Sequence, residues 1–121
     1  MREVLVYSGG AILLSVGSAT ELEAVVEITS TTVLELWHSG LFGPMAVIRN
    51  DKESRVVLFV FSAEDAVDRE LELVADIMDH RLPAKVGMLT VEIPSEDLGE
   101  IIERIMEGED RPDYGRPTVF H

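Results

Sequence analysis

The chain has no cysteine and no glutamine, one asparagine (Asn50), and two lysines (Lys52 and Lys85) among its 121 residues. Without cysteine there can be no disulfide, no thiol nucleophile, no iron–sulfur cluster and no cysteine-ligated zinc. The scarcity of amide side chains gives a thermophile-like composition. Long apolar runs are also missing. A membrane helix needs about 20 apolar residues, whereas the longest clear run here covers residues 56–61. Residues 1–20 have Arg2 and a small-residue end at Gly17-Ser18-Ala19, as a signal peptide would. Glu3 cancels Arg2, however, and Tyr7-Ser8-Gly9-Gly10 splits the apolar stretch, so a hairpin and a cytoplasmic protein are expected.

Positive charge is the other shortage. Ten basic residues face 23 acidic ones, for a net charge of −13. Residues 1–61 carry 4 basic and 7 acidic groups (net −3), and residues 62–121 carry 6 and 16 (net −10). Nucleic acid would be repelled, because binding it requires clustered Lys and Arg to displace counterions. Anionic membrane surfaces are disfavoured for the same reason. Basic proteins and cations remain as partners. So acidic a composition also fits a salt-rich cytoplasm, where self-repulsion is screened.

What is present suits one folded domain. Hydrophobic residues make up 46%, enough for a core in a chain of this length. The expected domain covers residues 1–108, with an irregular tail at 109–121.

Residues 4–7 and 11–16 read as two short strands joined by a turn at Ser8-Gly9-Gly10. Thr20 and Glu23 match a capping box, but the β-branched residues that follow leave 20–28 open between helix and strand. Residues 31–37 alternate as a strand does, Thr32, Leu34 and Leu36 against Val33, Glu35 and Trp37. Two strands, 45–49 and 55–61, flank a polar link of hairpin length. Ser62 is placed to cap a helix over 63–80, whose apolar face is Val67, Leu71, Val74 and Met78 and which Pro83 ends. Residues 86–93 form a further strand. Ser95 then starts a helix with Leu98, Ile101, Ile102, Ile105 and Met106 on one face, closed by Gly108.

The fold class expected is therefore α+β: a mixed, mainly antiparallel sheet of about five to six strands, with the two main helices packed on one face. Strands 55–61 and 86–93, joined by a helix, are expected to run parallel.

Three places could carry function. The connection at 37–44 concentrates Trp37, His38, Gly40, Leu41, Phe42 and Gly43. Apolar side chains in a loop can lie under it as a lid, form an association patch, or line a small-molecule pocket. In the tail, Tyr114, Val119 and Phe120 could dock on their own sheet, add a strand to a neighbour, or fray. Asp76, Asp79 and His80 share one side of a helix and could contribute to a divalent-metal site if a second segment supplied ligands. His80 equally suits a helix C-terminus for its own sake.

The acids Asp65, Asp68, Glu72, Asp76 and Asp79 stripe one helix, and Glu96, Glu100, Glu103 and Glu107 stripe the other. Such stripes are solvated faces or steering surfaces for a basic partner. No serine sits in a Gly-x-Ser-x-Gly elbow, and no phosphate-binding motif follows Ser8-Gly9-Gly10.

The expectation is a non-catalytic interaction or assembly protein that forms a homo-oligomer or binds a protein partner, with no cofactor. A small-ligand domain using 37–44 is the alternative, and a metal- or carboxylate-dependent enzyme comes third. From composition alone, the melting temperature should rise from low to high salt as the −13 charge is screened. A melt unchanged by salt would remove the salt-adapted reading.

Overall fold

A computed structural model describes residues 8–62, 67–107 and 117–120. In chain order they form β1 (Ser8–Ser15), α1 (Ala19–Ser39), β2 (Met45–Asn50), β3 (Arg55–Ser62), α2 (Asp68–Arg81), β4 (Gly87–Ile93), a 3₁₀ turn (Ser95–Asp97), α3 (Leu98–Glu107) and β5 (Pro117–Phe120). The class is α+β. The sheet order is β4-β1-β3-β2-β5, four principal strands and the short β5, and every adjacent pair is antiparallel. The expected mixed sheet is thus corrected. Strands β3 and β4 do run in the same direction, but β1 lies between them and is antiparallel to both. The first six elements make a β-α-β-β-α-β, or double split β-α-β (ferredoxin-like), topology.

The largest correction is α1. One helix spans the segment that read as an ambiguous stretch followed by a strand. Its buried residues Leu22, Val25, Thr29, Thr32 and Val33 lie on one helical face. Threonine supplies part of that face, so a pattern built on hydrophobic residues alone suggests period two. The cap is two residues earlier than Thr20: the Ser18 hydroxyl accepts from Glu21 N–H at 3.2 Å, and the Glu21 carboxylate accepts from Gly17 N–H at 3.0 Å. At the other end Gly40 adopts φ +72°, a left-handed conformation that glycine takes at little cost, and donates to the Trp37 carbonyl.

Ser8-Gly9-Gly10 is not a turn but the start of β1. A side chain has no room there. A Cβ on Gly9 would lie 2.7 Å from a Leu98 methyl, and one on Gly10 would lie 2.7 Å from a Leu71 methyl. The two glycines point to opposite faces and let α3 and α2 approach the strand from either side. Residues 4–7, read as the first arm of a hairpin, lie outside the described residues, as does Gly108. Ser62 is the last, buried residue of β3 and not a helix cap; α2 starts after Val67 without a side-chain cap. Ser95 likewise opens the 3₁₀ turn and caps no helix by its side chain.

The two helices foreseen from sequence sit on opposite faces, another correction. Helices α1 and α2 cover one face and bury the larger core, which includes Ile12, Leu14, Leu22, Val25, Met45, Leu58, Val60, Leu71, Val74 and Met78. Helix α3 covers part of the other face, where Leu98 and Ile105 meet Ala46 and Phe61. Each fully buried aliphatic contributes roughly 1.5–3 kcal/mol, so the α1–α2 side carries most of the stability. The tail read as irregular contributes β5, with Ala46 opposite Phe120 and Ile48 opposite Pro117.

Arg81 links the two helices of the main layer, donating to Thr32 Oγ1 at 3.1 Å and pairing with Glu35 at 2.6 Å. Thr32 in turn donates to the Ile28 carbonyl. Thr29 is equally buried, but its Oγ1 has no partner among the described residues. The same substitution should therefore act in opposite directions one turn apart. Thr29→Val is expected to raise unfolding free energy by about 1 kcal/mol and Thr32→Val to lower it by a similar amount, as an unmet or a made hydrogen bond is removed. Urea melts of the two variants check this.

Candidate functional site

The connection at 37–44 is not one surface. Trp37 and His38 belong to the last turns of α1, Gly40 ends the helix, and Leu41 stands 80% exposed just beyond it. Phe42 instead turns inward and packs on the main core. Gly43 lies against β3, where a Cβ would fall 2.3 Å from the Phe61 carbonyl oxygen, and Phe61 N–H donates to Pro44 O at 2.9 Å. The segment is therefore clamped in its second half and apolar on its outside in the first. Leu34 (42% exposed) and Trp37 (43%) lie one turn apart and extend that outer surface along α1.

In the tail, Tyr114 lies outside the described residues, and Val119 and Phe120 lie in β5, which pairs with β2 of its own chain. Asp76, Asp79 and His80 stand at the end of α2. His80 Nδ1 lies 2.8 Å from the Asp76 backbone carbonyl and 3.8 Å from its carboxylate. That backbone bond, together with the Asp76 charge, raises the imidazole pKa. Among the described residues no three or more His, Cys, Asp or Glu come together as a group able to hold a metal. The arrangement is the helix-end role that the sequence also allowed.

A place that sequence reasoning missed is the outer edge of the sheet at β4. No strand pairs with its outer side among the described residues. Its side chains alternate. Leu89 and Val91 stand 61% and 39% exposed on the α3 side of the sheet, while Thr90 and Glu92 point to the α2 side. Three depressions bounded by described residues all border this strand, and none is lined by residues 37–44. One, of about 250 Å³, runs between α2 and β4 and is lined by Asp68, Leu71, Glu72, Ala75 and Glu92 among others. Another, of about 320 Å³, continues past Glu92 to Pro94 and Ser95. The alternation at 86–93 was visible in the sequence. Its position at an edge was not, because that depends on strand order.

The edge is acidic. Glu92 hydrogen-bonds with Asp68, and that bond and the Asp68 charge raise the Glu92 pKa. A carboxyl with a raised pKa binds more protons folded than unfolded. Between its ordinary value of 4.5 and the raised value, stability therefore falls as pH rises. Glu92→Gln should melt above the parent protein at pH 7, and the difference should fade as pH drops well below 4.5, where Glu92 becomes protonated in both states. An equal difference at both pH values would remove the carboxyl pair as its cause.

No helix among the described residues is long and apolar enough to cross a membrane. Comparison of the chain with protein-family models, curated proteins and solved structures produced no match.

Proposed function

We propose that this chain is a non-catalytic interaction protein, which associates with copies of itself or takes a place in a larger assembly. The observation that carries this reading is β4: a strand of 7 residues whose outer side pairs with no strand among the described residues and with Leu89 and Val91 turned out to water. Solvent-facing apolar groups on an open edge favour strand addition and burial against another chain. The outward Leu34, Trp37 and Leu41 at the end of α1 offer a second apolar surface, away from the Arg81 link to α2. The open geometry of both surfaces suits a protein partner better than an enclosed small molecule.

Charge sets the conditions for self-association. Two copies at −13 each repel at long range, and salt shortens that range. Static light scattering over a concentration series is expected to show a mass above 13.4 kDa in high salt. Leu41→Lys, placing a charge on the exposed apolar end of α1, should return the mass toward the monomer without lowering the melting temperature. A monomer at every salt and concentration would sink the self-association half of this reading.

A further inference from the structure

We propose that the outer edge of β4 takes up an extended segment of another protein in which basic and apolar residues alternate, adding it to the sheet as a further strand. The inference rests on the interaction reading above and names the partner for one of its surfaces.

The backbone is prepared for it. β4 pairs with β1 over seven consecutive positions, from Gly9 opposite Ile93 to Ser15 opposite Gly87, with no break in register. Edges that avoid pairing carry inward or flanking lysines, prolines or bulges. Within 87–93 there is no Lys, Arg or Pro and the only charge is Glu92, with Lys85 and Pro94 confined to the flanks, and the β1–β4 register has no shift. An added strand would continue this ladder through main-chain hydrogen bonds.

The two sides of the edge then specify the side chains. Successive residues of an added strand point to opposite faces. On one face they meet Leu89 and Val91, so apolar residues fit. On the other they enter the groove under α2. Asp68, Glu72 and Ala75 of α2 line this groove, with Glu92 below, and helical spacing puts Asp79 on the same flank one turn further on. The cations at that end of the layer are directed elsewhere: Arg81 to Glu35 and Lys85 to Glu21, at 2.6 and 2.9 Å. Arg69 is rotated ~100° from Asp68 around the helix, away from the groove. Among the described residues no lysine or arginine is shown paired with Asp68 or Glu72, and basic side chains complement them. A second copy of β4 does not, since it brings its own Glu92, Asp68 and Glu72 to the same groove. Electrostatic complementarity of this kind selects the partner and speeds its arrival.

The test uses the full chain and a fluorescent synthetic peptide of alternating lysine and valine, titrated by anisotropy, with amide chemical shifts mapping where it binds. Expected are saturable binding that weakens as salt is added, and shift changes concentrated in residues 87–93. The Asp68→Asn, Glu72→Gln double variant should bind roughly fivefold more weakly, as two exposed ion pairs imply. Equal binding by a peptide of the same composition with its lysines and valines in separate blocks would overturn the proposal. So would equal binding by an alternating glutamate–valine peptide, shift changes that avoid 87–93, or no binding. If concentrating the protein alone shifts 87–93, the occupant is a second copy: the partner chemistry fails and the interaction reading stands. If neither peptide nor concentration has any effect on this edge, the reading of β4 as an interaction surface fails as well.

Discussion

The structure depends on how closely two helices approach the backbone of β1. Leu71 of α2 and Leu98 of α3 come down on opposite faces of the same strand, at Gly10 and Gly9, where a single added carbon would meet a methyl group at 2.7 Å. Interiors tolerate little such overlap. The absence of side chains at these adjacent positions lets one strand support both layers. β1 is also the strand between β3 and β4. With β1 in that place, β4 is left at the edge, and the exposed apolar and acidic groups around it follow.

The layers differ in what they contribute. The α1–α2 side buries the larger aliphatic cluster and ties its helices through Arg81, Thr32 and Glu35. The α3 side buries a smaller cluster at one end of the sheet and leaves Leu89 and Val91 beyond its reach. The acidic excess is arranged around this division. Asp68 and Glu72 line the flank of α2 above the open edge, and Glu92 completes the row from the strand. Close carboxyls there cost stability near neutral pH, as the raised pKa of Glu92 shows. A cationic partner would relieve that cost.

Particular residues show where sequence reasoning held and where it did not. The strands read at 45–49, 55–61 and 86–93 correspond to β2, β3 and β4: 55–61 is an apolar run as an interior strand is, and 86–93 alternates with period two. The apolar faces built on Leu71, Val74 and Met78 and on Leu98 and Ile105 are buried as their spacing implied. Residues 31–37 were misread as a strand, and 20–28 left open, because Thr29 and Thr32 occupy core positions and β-branched residues favour strands locally; packing against the sheet overrides that preference. At 37–44, composition alone grouped Phe42 with Leu41, although one packs on the core and the other faces water.

The sequence by itself determined the class of fold and the surplus and placement of negative charge along the chain. These follow from composition and from local period, which neighbouring residues set. Only the tertiary structure decided that Gly9 and Gly10 lie in a strand and not in a turn, that α2 and α3 lie on opposite faces, and that β4 is an edge. Those outcomes depend on contacts between residues far apart in the chain, such as Gly9 with Leu98 and Gly10 with Leu71. No local pattern records which strand will end up with its outer side unpaired.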